Sequence, residues 1–273
     1  MDKTETMGPL ITLKVHTALK ASKSVIECSL DLGRSISTVE VHDTGWVWQG
    51  QVFPFLETCK DRTIYYWDTD AFLPVSRYAT SLIKLVPTEW GPPTFEIDGI
   101  KMLPTAQVSP YLDAGQKVKL IQPQGKIVLD TCGGLGYFAA WCLQNNARQI
   151  MSYEKNPDVI WLRSLNPWSP VAGHHFTLTQ GDIALEIAAL GSDSVDAILH
   201  DPPRFGIAGE LYSHLFYDHL ARVLKRKGKL FHYTGKPNQL TSGRDVPNEV
   251  ATRLRRAGFK TELTGDGVLA VKI

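Results

Sequence analysis

The sequence predicts an α/β chain in two parts: a small β-rich segment over residues 1–105, then a doubly wound, mostly parallel sheet over 106–273 that ends in an antiparallel hairpin. Three observations predict this. After residue 125, apolar runs of strand length alternate with helical stretches. Before residue 104, the runs are short, rich in Val, Ile, Thr and aromatics, and divided by Gly, Pro, Asp and Ser. Near the end, the turn Thr264-Gly265-Asp266-Gly267 separates two apolar runs, and the Asp-Gly within it is a strong two-residue hairpin signal.

In the first part, strands are expected at 11–19, 24–32, 37–42, 45–53, 63–68, 81–86 and 94–103. Lys14-Val15-His16-Thr17 and Thr38-Val39-Glu40-Val41 alternate apolar with polar, as half-buried antiparallel strands do. The aromatic segments Trp46-Val47-Trp48 and Tyr65-Tyr66-Trp67 have two readings, a core cluster or a platform for stacking on a substrate. Neither a metal-ligand cluster nor a nucleophile constellation occurs in this part, so its expected role is substrate recognition.

In the second part, strands are expected at 126–130, 149–154, 176–180, 195–201 and 228–234, with helices at 137–145, 157–165, 183–190 and 210–224 between them. A helix at 247–257 and strands at 259–263 and 268–273 follow. Continuous apolar strands with intervening helices imply a parallel sheet covered on both faces.

Composition bounds the function. Of the 273 residues, 43 % are hydrophobic and 21 % charged, enough to bury a sizeable core and too apolar for global disorder. No run of 18 apolar residues occurs, so no membrane span is expected. The start, MDKTETMGPLITLKV, lacks the basic head and unbroken apolar core of a secretory signal. Cys28, Cys59, Cys132 and Cys142 form no CxxC pair, which suits reduced, mostly buried thiols in a cytoplasmic protein rather than disulfides or a zinc site. A net charge of +1 argues against a wholly basic surface and leaves room for a local basic patch.

The first motif is Asp130-Thr131-Cys132-Gly133-Gly134-Leu135-Gly136-Tyr137, where an apolar strand ends in an Asp and a glycine-rich turn opens the next helix. Glycines let the backbone approach a ligand closely at the carboxyl edge of a sheet. The spacing D-x-x-G-G-x-G, unlike G-x-G-x-x-G, favours S-adenosylmethionine over a pyrophosphate cofactor, with Asp130, Cys132, Gly133, Gly134, Gly136 and Tyr137 as candidate contacts. Glu154 ends the second strand, 24 residues after Asp130, and it and the following Lys155 are candidate cofactor contacts. A carboxylate there accepts both ribose hydroxyls; the bland alternative is an exposed Glu opening a loop. Gly181-Asp182 ends the third strand, where Asp182 suits the adenine amine and equally suits a helix N-cap.

The fourth strand runs into Asp201-Pro202-Pro203-Arg204-Phe205 on the same edge. Two prolines stiffen the loop and remove two donors, leaving carbonyl oxygens and the Asp201 carboxylate. A set made only of acceptors fits an amino group: it binds the N–H bonds and aims the nitrogen lone pair, so catalysis is orientation and electrostatics. The alternative is a structural turn. Asp201 also faces the cofactor. His232 and Tyr233 end the fifth strand beside it and are candidates to flank the acceptor, a buried hydrogen-bonded His being the equal alternative.

From Asp130 to Asp201 the chain resembles class I S-adenosylmethionine-dependent methyltransferases, and Asp201-Pro202-Pro203-Arg204 looks like a variant of the (Asp/Asn/Ser)-Pro-Pro-(Tyr/Phe/Trp) loop of enzymes that methylate exocyclic amines of bases. In that family the fourth residue stacks on a flipped base; here Arg204 stands there and Phe205 one place later. Four further segments extend the likeness: Gly99-Ile100-Lys101-Met102, Leu165-Asn166-Pro167-Trp168-Ser169, Gly209-Glu210-Leu211-Tyr212-Ser213 and Phe231-His232-Tyr233-Thr234-Gly235. Together they resemble a group of archaeal-type, spermidine-synthase-like methyltransferases. The resemblance implies a Rossmann-like class I sheet, S-adenosyl-L-methionine as cofactor with S-adenosyl-L-homocysteine as product, and an acceptor such as a cytosine N4 amine of ribosomal RNA.

Cytosine C5 methylation needs a cysteine nucleophile, and none follows the fourth or fifth strand. Aminopropyl transfer on the same fold usually has more acidic residues to hold a polyamine, whereas Arg204 suits an anionic acceptor. The basic run Arg222-Val223-Leu224-Lys225-Arg226-Lys227-Gly228-Lys229, with Arg253, Arg255 and Arg256, reads as an RNA contact or as a solvated helix end. RNA and a small-molecule amine both stay open as acceptor.

Overall fold

The computed structural model describes residues 8–235 and 245–273. Residues 1–7, part of the polar start considered above, lie outside them. The chain divides into two compact units. The first takes the described residues up to Asp113 together with Trp161–Ser169; the second takes Ala114–Ile160 and Pro170–Ile273.

The first unit holds β1 (Leu10–Ile11), α1 (Leu13–Ala21), β2 (Val25–Cys28), β3 (Ser37–His42), β4 (Gly45–Trp48), β5 (Gln51–Pro54), β6 (Tyr65–Asp68), β7 (Ala71–Pro74), β8 (Ser76–Tyr78), β9 (Leu82–Val86), β10 (Thr94–Ile97) and β11 (Ile100–Lys101). They form antiparallel sheets in the orders β1-β6-β7, β2-β3-β4-β5 and β11-β10-β9-β8. Two expected strands are hairpins. The run at 45–53 turns at Gln49-Gly50 (φ 49° and 77°) and that at 94–103 at Asp98-Gly99 (φ 48° and 77°). Positive φ at both central residues marks the two-residue turn whose twist matches its strands.

The run at 11–19 is mainly helix, not strand. Thr12 caps α1 by accepting from the Val15 amide at 3.4 Å. The residues α1 buries, His16 and Leu19, are three apart, so the helical period prevails over local alternation. The aromatic segments are core. Trp46 is 1 % exposed and stacks on Phe53 at 4.6 Å, which meets Trp67 edge-on at 5.1 Å. Residues 161–169 join this unit through side chains: Trp161 lies 3.8 Å under the Arg77 guanidinium, and Trp168 Nε1 donates to the Leu32 carbonyl at 3.0 Å.

The second unit is built on β12 (Ile127–Asp130), β13 (Gln149–Glu154), β14 (Phe176–Gln180), β15 (Val195–His200), β16 (Leu224–Tyr233), β17 (Phe259–Thr264) and β18 (Gly267–Lys272). Their order is β14-β13-β12-β15-β16-β18-β17, parallel from β14 to β16, with β18 antiparallel to both its neighbours. This is the class I methyltransferase-type sheet. The chain winds outward from β12 through β13 to β14, then returns to β15 on the other side of β12. Right-handed crossovers in opposite directions place their helices on opposite faces. The order reverses between β12 and β15, and ligands of such sheets bind beyond the carboxyl ends at that point.

Helices α2 (Pro110–Ile121), α3 (Tyr137–Gln144), α4 (Pro157–Ser164), α5 (Ile183–Glu186) and α6 (His214–Val223), with Val246–Arg256, complete the elements. Of these, α2 is not foreshadowed in the sequence reading. The single helix expected at 210–224 is two: a 3-10 turn over Gly209–Tyr212, then α6, whose cap Ser213 accepts from the Phe216 amide at 3.1 Å. The basic run is no helix end beyond Val223, because Leu224 already starts β16, which carries an irregularity where Lys227 takes φ 64°. Arg222 donates to the carbonyls of Leu190 (2.6 Å) and Ile187 (2.7 Å), and Lys225 pairs with Asp196 at 2.7 Å. The last hairpin turns at Thr264-Gly265-Asp266-Gly267 as expected: Thr264 pairs with Gly267, so the two central residues are Gly265-Asp266, with Gly265 left-handed at φ 57°.

Candidate functional site

Because β12 to β16 run parallel, Asp130, Glu154, Gln180, His200 and Tyr233 all end at one edge of the sheet. The glycine turn follows Asp130. Gly134 (φ 47°) and Gly136 (φ 79°) are both left-handed, a conformation that costs an L side chain about 1–2 kcal/mol. Gly136 caps α3 with no side chain in the way, and Tyr137 is buried as its first residue.

Glu154 closes the turn from the neighbouring strand. Its Oε2 accepts from the Gly134 amide at 2.9 Å and its Oε1 from the Asn156 amide at 2.9 Å, while Gly133 donates to the Tyr153 carbonyl at 2.7 Å. The carboxylate is half-buried. At the next strand end, Asp182 caps α5 by accepting from the Ala184 amide at 3.0 Å and pairs with Lys155 Nζ at 2.7 Å. Both readings of Asp182 are thus in play, the cap being realised. Gly181 donates to the Glu154 carbonyl at 3.0 Å, tying the two strand tips together.

Two predicted cofactor contacts sit deeper than expected. Asp130 is fully buried and accepts from Ser152 Oγ at 2.7 Å, so its carboxylate props the turn from within the sheet. Cys132 is half-buried, and desolvation holds its thiol well above the ordinary range, in the protonated form. A protonated thiol is a poor nucleophile.

In the loop after β15, Pro202 is buried, Pro203 is exposed, and Asp201, Arg204 and Phe205 are half-buried. The carbonyls do not all face outward: that of Pro203 accepts from the Tyr212 hydroxyl at 3.1 Å, and that of Arg204 from the Ile207 amide at 2.7 Å. The reason is the 3-10 turn, which brings Tyr212 (1 % exposed) beneath the loop and against Phe205 at 5.4 Å. Asp201 and Arg204 are left as the loop's charged groups.

His232 does not flank an acceptor. It is fully buried, with Nε2 2.9 Å from the Tyr217 hydroxyl and Nδ1 2.8 Å from the Tyr233 carbonyl, and burial lowers its pKa to about 4. Both nitrogens are engaged, so this is the core histidine of the two readings. Tyr233 is half-buried beneath the Lys117 ammonium, 3.9 Å from its ring. The sequence reading missed His200, whose ring meets that of His232 at 4.4 Å, and Thr131, whose Oγ1 lies 2.7 Å from His200 Nδ1. The signal was a polar side chain ending an otherwise apolar strand just before Asp201. Among the described residues, no group of three or more His, Cys, Asp or Glu is gathered as metal ligands would be. Likewise, no described helix is long and apolar enough to cross a membrane.

No known family model matches the chain. An uncharacterised protein of Methanocaldococcus jannaschii is 42 % identical over 194 residues, which span 69 % of this chain and 66 % of that protein, just under two thirds of its length. Among solved structures, a spermidine synthase in complex with the transition-state analogue AdoDATO superposes with a TM-score of 0.60 at 15 % identity, over 74 % of this chain and 77 % of the other. Spermidine synthase from Thermotoga maritima superposes with a TM-score of 0.57 at 16 % identity, over 77 % and 78 %. The chain therefore shares the spermidine synthase fold, of which the class I sheet is the core.

Proposed function

We propose that this chain is a cytoplasmic S-adenosylmethionine-dependent N-methyltransferase whose acceptor is an amine of an RNA base, such as the N4 amine of a ribosomal cytosine. The observation that carries the reading is the meeting, at one switch point, of the left-handed glycine turn, the Glu154 carboxylate and the loop 201–205. The turn and the two carboxylates fit a group with a ribose diol and an aromatic amine: Glu154 holds the hydroxyls and Asp182 the amine. When bound, that cofactor supplies an electrophilic methyl group on a sulfonium. Asp201 accepts an N–H of the incoming amine and turns the nitrogen lone pair toward the methyl, with no covalent enzyme intermediate. Arg204 offers a fixed cation for a phosphate or a plane for a base.

Aminopropyl transfer is the second reading, favoured by the likeness to spermidine synthases. Arg204 in the acceptor loop speaks against a polycationic amine. The two are separated by incubating the purified protein with methyl-labelled S-adenosylmethionine and RNA from cells that lack the gene. Label in a methylated nucleoside is the expected result. Label in no nucleoside, together with product from decarboxylated S-adenosylmethionine and a polyamine, would replace the first reading with the second.

A further inference from the structure

We infer that Thr131 and His200 are positioning residues that hold the loop and turn at residues 201–213 to the glycine turn. The inference deepens the proposed reading of this crevice and rests on it for its meaning in catalysis. The chain of contacts is continuous. Thr131, the first residue after β12, puts its Oγ1 2.7 Å from His200 Nδ1. His200 Nε2 lies 3.1 Å from the Leu211 carbonyl, at the far end of the acceptor loop. The next residue, Tyr212, donates its hydroxyl to the Pro203 carbonyl at 3.1 Å and accepts at its own carbonyl from Arg253 Nη1 at 2.6 Å.

The chemistry sets a direction. A carbonyl only accepts, so His200 carries its proton on Nε2, and Nδ1 accepts from the Thr131 hydroxyl. Both His200 and Thr131 are buried, so no water substitutes for either bond, and the hydroxyl's other acceptor within reach, the Leu199 carbonyl, is farther away at 3.3 Å. His200 directly precedes Asp201, and its ring is gripped on one side by the cofactor turn and on the other by the segment that buttresses Pro203. The group proposed to orient the amine is thereby placed relative to the turn proposed to hold the methyl donor, and a shift of an ångström between them is costly in rate.

The test uses the whole protein without ligand and follows backbone hydrogen exchange by mass spectrometry. Thr131→Val removes the hydroxyl at nearly constant volume; Thr131→Ser keeps it. Expected is exchange about tenfold faster at residues 201–213 in the valine variant, with the serine variant like wild type and β16 and β18 unchanged in both. His200→Gln retains a donor for Leu211 and gives up the Thr131 bond, so it should match Thr131→Val, and the double variant should lose no more than the larger single change. A valine variant as protected as the serine one, an acceleration of equal size throughout the sheet, or losses that multiply in the double variant would overturn the inference. If wild type failed to bind S-adenosylhomocysteine in calorimetry, the proposed function would fall, while the exchange result would still decide whether the link holds the loop.

Discussion

Lys155 Nζ lies 2.7 Å from Asp182 Oδ2, an ion pair that joins the tip of β13 to the cap of α5. Its hydrogen bond to Asp182 raises the Lys155 pKa, yet the lysine side chain is 69 % exposed, so the pair adds at most about 1 kcal/mol to stability. Lys155→Ala is expected to leave S-adenosylhomocysteine affinity within about threefold, whereas Asp182→Ala lowers it about tenfold and also costs about 1 kcal/mol through the lost cap. Calorimetric titration and urea unfolding of the two variants check this. Equal losses of affinity would mean that Asp182 acts only through the ion pair.

Glu154 is expected to be the stronger anchor. Glu154→Gln keeps the size and removes the charge that two backbone amides and a bound diol would share, a difference of about 1.5–3 kcal/mol. The expected loss in S-adenosylhomocysteine affinity is about 10–100-fold. Unchanged binding would take Glu154 out of the cofactor site.

Asp201→Ala is expected to lower methyl transfer by at least about a hundredfold, in the range for removal of a group that binds the reacting centre. The measurement is label incorporated into RNA from cells lacking the gene. Wild-type rates in this variant would return the loop to a structural turn.

Acid should destabilise the second unit through its paired histidines. Burial lowers the pKa of His200 well below 6.5, with the nearby His232 adding to the effect, and burial lowers that of His232 to about 4. In both cases the folded state binds a proton less readily than the unfolded chain. Stability is therefore intact above pH 6.5 and falls as the pH drops from there toward 4, by about 1.4 kcal/mol per unit for each histidine. Urea midpoints between pH 7.5 and 4.5 should show that slope, and His232→Gln should reduce it. A flat profile would contradict the two neutral imidazoles.

In the first unit, Trp46→Ala opens a hole beside Phe53 and should cost about 3–5 kcal/mol in unfolding free energy. A cost near zero would mean that the indole is not part of the core.

The parallel sheet was legible because strands buried on both faces read as unbroken apolar runs, as at β12 and β15, whereas β16 begins at Leu224, four residues before its expected start and inside the basic run. The strand tips were legible too, since Asp130, Glu154, Asp182 and Asp201 interrupt apolar patterns at fixed places. In α1, by contrast, local alternation across Lys14–Thr17 imitated a strand, and only burial of His16 with Leu19 reveals the helix. The inward turn of the Pro203 carbonyl depends on Tyr212, and the state of His232 on Tyr217, partners that no local pattern announces. Nor does any linear pattern place Trp161 under Arg77.

The insertion of β18 between β16 and β17 has a consequence for how the chain is made. The chain makes β16 before the strand that covers its free edge, and β17, which lies between them in sequence, is not its partner. Until Gly267–Lys272 is synthesised, β16 presents an open ladder able to accept a wrong strand. The hairpin must fold back as a unit, so the turn at Gly265 times the closure of the sheet. Substitutions there should show themselves in yield and folding rate before they show in the finished protein.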